Sequence, residues 1–94
     1  MRLAPEAPGL YPNEWRSMRR QRGLSQRDVA HYLGHLNVDY YQDIEAGRRF
    51  PHARILAVLT ALFRVGLPDA YPELLRHAHS HVATIQERSK PAYN

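Results

Sequence analysis

An all-α domain of five helices is predicted by three observations. Apolar residues recur at three- and four-residue spacing in successive segments, no run alternates apolar with polar, and Pro, Ser, Asn and Gly punctuate the segments where helices would start and stop. No internal repeat is present.

Taken in order, residues 1–12 carry Pro5, Pro8, Gly9 and Pro12, which oppose helix and sheet pairing and mark an N-terminal arm, with Leu10 and Tyr11 placed to pin its end. Pro12 suits a first helical turn and Glu14 complements the positive helix N-terminus. Trp15, Met18 and Arg22 follow at helical spacing, and Gly23 ends helix one. Ser25 is an N-cap, with Asp28 three residues later approximating a capping box; Val29, Ala30 and Leu33 form the inward stripe of helix two, and Gly34 stops it. After His35-Leu36, Asn37 caps helix three, whose inward residues are Tyr41 and Ile44, before Gly47. Helices this short do not hold alone, so each must lean on the others. Pro51 opens helix four, where Ile55, Leu56, Leu59, Leu62 and Phe63 make the widest apolar face, and Gly66 and Pro68 break it. A last helix is expected from Asp69 or Ala70 through Tyr71, Leu74, Leu75, Ala78, Val82 and Ile85, ending before Pro91. The core domain then spans 13–75, and 76–94 forms a C-terminal helix and tail.

Composition bounds the function. A chain of 94 residues holds one modest core, and 44% hydrophobic with 23% charged residues is ordinary for a soluble globular protein. The absence of cysteine excludes disulfides, Cys-ligated zinc and thiol nucleophiles. No apolar run reaches the roughly 18 residues of a membrane span, and the N-terminus lacks a signal-peptide core, so a cytoplasmic protein is expected. A net charge of +4 and a pI of 9.9 favour polyanionic partners. Arg16, Arg19, Arg20, Arg22 and Arg27 cluster around the first helix junction, and Arg48, Arg49 and Arg54 follow helix three.

The stretch Gly23-Leu24-Ser25-Gln26, with Val29-Ala30 and Leu33-Gly34 closing helix two, then Ile44-Glu45-x-Gly47-Arg48-Arg49-x-Pro51 and the Phe63-x-Val65 exit, resembles the Xre-like, Cro-type helix-turn-helix family of phage and bacterial repressors, with its lambda-repressor-like fold. The resemblance covers about Trp15 to Leu75. It implies a double-stranded DNA-binding transcriptional regulator, in the repressor mode, with helix three in the major groove, which is about 12 Å wide and admits one α-helix. On that reading Asn37, Val38, Asp39, Tyr40, Gln42 and Asp43 approach base edges. Gln26 meets a phosphate, which its place at a helix N-terminus also favours; Arg27 joins it. Arg48 and Arg49, just after helix three, could clamp phosphate with their forked guanidinium groups. Arg19 and Glu45 match a structural pair that ties helix one to helix three in the family. Because members commonly bind as dimers, Tyr71, Leu74, Leu75, Ala78, Val82 and Ile85 form the candidate homodimer interface, against the alternative that the last helix folds back on its own domain.

Two features depart from the family pattern. Asp39 and Asp43, four apart on one face, stand where the family places Gln, Ser, Thr, Arg or Lys; an acid accepts a hydrogen bond from cytosine N4 but repels phosphate. Asp39 in a first turn suits the helix dipole, whereas Asp43 needs a nearby Arg. The turn Gly34-His35-Leu36-Asn37 is also one residue longer than the commonest in the family. These departures sustain a rival reading, an interaction module on the same fold whose acidic helix three contacts a toxin or a phage regulator. Tyr32, Tyr40 and Tyr41 are read as core or groove-edge packing residues and not as a stacking platform. His31/His35 and His77/His81, with His79 between the latter, have helical pair spacing, but no Cys or carboxylate completes a ligand set, so no metal and no cofactor are expected. No catalytic motif is present, so an enzyme is not expected.

Overall fold

The computed structural model describes residues 9–34 and 37–88. The described residues are all-helical and contain α1 (Trp15–Gln21), α2 (Gln26–Tyr32), α3 (Val38–Glu45), α4 (Ala53–Phe63), α5 (Leu67–Ala70) and α6 (Pro72–Arg88). Most of the expected arm, the His35-Leu36 loop and Pro91 lie outside the described residues.

Local chemistry sets these boundaries. The start of α1 is held by Asn13, just outside the Glu14 cap position, whose Oδ1 accepts from the Trp15 amide at 3.1 Å while its Nδ2 donates to the Ile44 carbonyl at 2.8 Å, so one side chain satisfies the first helical amide and ties α1 to the end of α3. Ser25 and Asp28 close a full capping box on α2, with Asp28 N to Ser25 Oγ at 3.0 Å and Ser25 N to Asp28 Oδ2 at 2.8 Å. Asn37 caps α3 by accepting from the Asp39 amide at 2.7 Å. α4 ends at Arg64, which adopts the left-handed conformation (φ 55°, ψ 49°) that a glycine usually occupies.

The helix expected from Asp69 onward is two helices. Pro72 disfavours helical backbone at the residue before it, so Tyr71 leaves the helical region (φ −129°, ψ 61°) and α6 starts afresh with Pro72 in its first turn. A further consequence corrects the expected dimer face. Tyr71 is wholly buried in the core of its own chain and is not on an outer stripe.

The core joins Trp15, Val29, Tyr41, Ile44, Leu59, Phe63 and Tyr71, all fully buried. Its aromatic members form a chain of ring contacts, Tyr11 to Phe50 (5.4 Å), Phe50 to Tyr71 (4.9 Å), Tyr71 to Trp15 (5.8 Å) and Trp15 to Phe63 (5.9 Å), which links the N-terminal segment to α1, α4 and the α5–α6 corner. Trp15 Nε1 also donates to the Tyr71 hydroxyl at 2.9 Å. The N-terminal segment lies close over the end of α3. Tyr11 N donates to the Gly47 carbonyl at 3.0 Å, and Gly47, at φ 79°, leaves no room for a side chain, since an added Cβ would stand 2.9 Å from the Tyr11 carbonyl oxygen.

Candidate nucleic-acid interface

Helix α3 is fastened by one side and open on the other. Tyr41, Ile44 and Glu45 are buried, whereas Asp39 and Gln42 are exposed and Asp43 is half-buried. At about 100° per residue, Asp39, Gln42 and Asp43 fall within one arc of about 100° opposite Tyr41 and Ile44. Asn37 is exposed at the start of this surface, and Val38 and Tyr40 are half-buried at its margins.

Behind α3 lies a polar anchor. Arg19 Nε donates to Glu45 Oε2 at 2.5 Å and its Nη1 to the Leu24 carbonyl at 2.8 Å, so the expected α1–α3 pair is formed and both partners are buried. Burial on its own would push the Glu45 carboxyl up, but hydrogen bonds from Arg19 and Gln26 hold it below the ordinary carboxylate range. The hydrogen bond to Glu45 raises Arg19 in turn, against the opposing effect of burial. Tyr41 sits beside this pair, its phenol pushed up by burial and then by the charge of Glu45.

The anchor is continuous with the open face. Gln26, half-buried at the start of α2, donates from Nε2 to Glu45 Oε1 (3.0 Å) and accepts at Oε1 from Gln42 Nε2 (3.0 Å), so a single residue connects the buried pair to the outer surface. Arg16, which sequence reasoning left as one member of a charge cluster, approaches Glu45 Oε1 at 3.5 Å from the solvent side.

The two arginines after α3 are positioned differently. Arg48 places Nε and Nη2 each 3.0 Å from Asp43 Oδ1, which supplies the arginine that Asp43 needs. Arg49 lies over the Tyr40 ring, 4.5 Å from its centroid. That contact was missed, although a Tyr nine residues before an Arg across a helix end was the available signal. Arg27 is exposed on the first turn of α2. On α6, Leu74 and Leu75 are half-buried, while Ala78, Val82 and Ile85 are exposed. His77 and His81 are exposed on the same helix, and among the described residues no three His, Asp or Glu side chains gather as a metal site. No described helix is long and apolar enough to cross a membrane.

Comparison with known proteins agrees with this architecture. The crystal structure of the clp gene regulator ClgR from Corynebacterium glutamicum matches with a TM-score of 0.54 at 24% identity, covering 82% of this chain and 86% of that one, and shares the fold. No curated protein matches the chain at a significant level. A helix-turn-helix domain model matches residues 14–74, the stretch from the start of α1 into α6 that carries both the buried anchor and the open face of α3, and the chain belongs to the helix-turn-helix domain family.

Proposed function

We propose that this protein is a sequence-specific double-stranded DNA-binding transcriptional regulator that inserts α3 into the major groove. The observation that carries the reading is the fastening of α3 by Tyr41, Ile44 and Glu45 with its opposite face left open. A groove reader needs that arrangement, because only a helix held by its rear side can offer side chains to base edges. Asn37, Val38, Asp39, Tyr40, Gln42 and Asp43 then approach the bases, and Gln26, Arg27 and Arg49 meet phosphates. Membership of the helix-turn-helix family and the likeness to a gene regulator support the same reading. A bound domain excludes polymerase from the duplex it covers, which makes repression the proposed mode.

The bound unit is a homodimer through α6. Support comes from the helix itself, in which no residue is fully buried: beyond Leu75, which is half-buried against the core, Ala78, Val82 and Ile85 follow at alternating three- and four-residue spacing, with Val82 and Ile85 48% and 47% exposed. That spacing is the seam of a paired helix. A two-fold pair would read two half-sites about one helical turn apart.

Selection of bound duplexes from a random pool, followed by affinity measured across salt concentrations, tests the proposal. The expected result is a palindromic motif and a log–log salt slope of about −0.9 for each phosphate neutralised. Absence of any duplex binding at low salt would overturn it in favour of the rival, a module whose α3 binds another protein.

A further inference from the structure

Two carboxylates share the open face of α3, and among the described residues only Asp43 has an ion-pair partner. Asp39 is exposed and its backbone amide is taken up by the Asn37 cap. Asp43 instead receives both Nε and Nη2 of Arg48, each at 3.0 Å and both on the same oxygen, Oδ1. The backbone fixes this geometry, because the turn after α3 folds back on Asp43: its carbonyl accepts from Arg48 N at 2.9 Å and Arg49 N at 3.3 Å. Arg48 is thus anchored to Asp43 through main chain and side chain together. Both contacts fall on Oδ1 and leave the other carboxylate oxygen, Oδ2, outside the pair, and the side chain is 35% exposed.

We propose that Asp43, held and neutralised by Arg48, is a specificity-determining residue that selects a cytosine. The inference rests on the groove reading above and adds the base class to it. An unpaired aspartate on a DNA-facing helix repels phosphate, and the Arg48 pairing removes that objection at Asp43 while leaving one acceptor oxygen for a base edge. An acceptor needs an N–H, and the major groove offers two kinds, adenine N6 and cytosine N4. Adenine presents N7, an acceptor, beside its N6 donor, so a carboxylate reaching N6 meets a lone pair next to it. Cytosine presents N4 without a neighbouring acceptor of its own. The carboxylate therefore favours cytosine. Arg48, expected from the sequence to clamp phosphate, is on this reading a positioning residue for Asp43.

The test is duplex selection with the wild-type full chain, Asp43→Asn and Arg48→Gln, each first checked for wild-type thermal unfolding, followed by affinities for the selected duplex and its single-base variants. The wild type should require a C·G pair at one position of each half-site, with replacement there weakening binding about tenfold or more. Asp43→Asn should lose that preference and turn toward adenine, which an amide recognises through N6 and N7 together. Arg48→Gln should blur the same position while leaving the salt slope unchanged. A motif identical for wild type and Asp43→Asn would overturn the inference while leaving the groove reading intact. A salt slope reduced by about 0.9 in Arg48→Gln, with base preference unchanged, would make Arg48 a phosphate contact and overturn its positioning role. A wild-type pool without an enriched motif would overturn the groove reading, and this inference with it.

Discussion

Arg19 and Glu45 bind each other through two hydrogen bonds, Nε to Oε2 at 2.5 Å and Nη2 to Oε1 at 3.3 Å, across the contact between α1 and α3. Both side chains are nearly inaccessible, so neither charge has water to fall back on. Breaking such a pair leaves an ion buried alone, whereas removing both ions does not. Arg19→Ala is therefore expected to lower stability by about 3 kcal/mol or more, and Arg19→Met with Glu45→Met to recover most of that loss. Urea unfolding of the single and double variants measures both values. Equal losses in the two would show that packing, and not the uncompensated charge, sets the cost.

The same carboxylate makes stability depend on acid. Glu45 titrates below its ordinary value of 4.5 in the folded chain, so in acid the native state binds fewer protons than the unfolded one. Its stabilising contribution is complete above the unfolded value and is lost as the pH falls through the folded value. Thermal midpoints should fall as pH drops from about 5 toward 3, and Glu45→Gln should flatten that fall while lowering the midpoint at neutral pH. Asp28, held down by the hydrogen bonds from the Ser25 backbone and side chain, leaves a residual slope of the same sign.

The fold and the face of α3 were legible in the sequence because they depend on local chemistry. Ser25 and Asp28 are three apart and form the capping box, and Tyr41 and Ile44 are three apart and turn inward together. Features missed depend on what lies across the fold or on competing local signals. Asn13 reads as one polar residue beside Pro12 and Glu14, and its role as a tie between α1 and α3 depends on the Ile44 carbonyl, 31 residues away. Periodicity placed Tyr71 on the stripe of the last helix, but Pro72 breaks that helix and sends the ring to Trp15. For Asp43 the sequence showed that an arginine was needed, and the turn at Gly47 decided which of two supplied it.

Two buried tyrosines differ in what their hydroxyls do. The hydroxyl of Tyr71 accepts from the indole of Trp15, whereas that of Tyr41 makes no hydrogen bond among the described residues. Tyr71→Phe strands a buried N–H and should cost about 1–3 kcal/mol, while Tyr41→Phe removes a group already without a partner and should change stability by less than about 1 kcal/mol. Chemical denaturation of the two variants side by side gives the comparison, and a larger loss for Tyr41→Phe would reveal a hydrogen bond to the Arg19–Glu45 pair in solution.

Gly47 and Gly23 have positive φ values, 79° and 68°, but only Gly47 is crowded. An alanine at Gly23 meets open space and carries the left-handed backbone cost alone, about 1 kcal/mol. At Gly47 the new Cβ would also press on the Tyr11 backbone, so the cost should be about 2 kcal/mol or more, with the N-terminal segment released from α3. Proteolysis near Tyr11 would read that release directly. Similar losses in the two variants would mean that the segment moves aside without penalty.

Arg64 presents the reverse case, a residue with a Cβ in the conformation that glycine adopts most readily. It is exposed, and its backbone N–H together with that of Val65 satisfies the Thr60 carbonyl at the end of α4. The turn is thus needed and the side chain is not. Arg64→Gly should raise stability by about 0.5–1 kcal/mol, and Arg64→Val, with its branched Cβ, should lower it. In a domain of this size each kcal/mol moves the thermal midpoint by about 4–8 °C, so opposite shifts should be plain in a melting experiment. Shifts of the same sign would show that α4 ends by a different turn in solution.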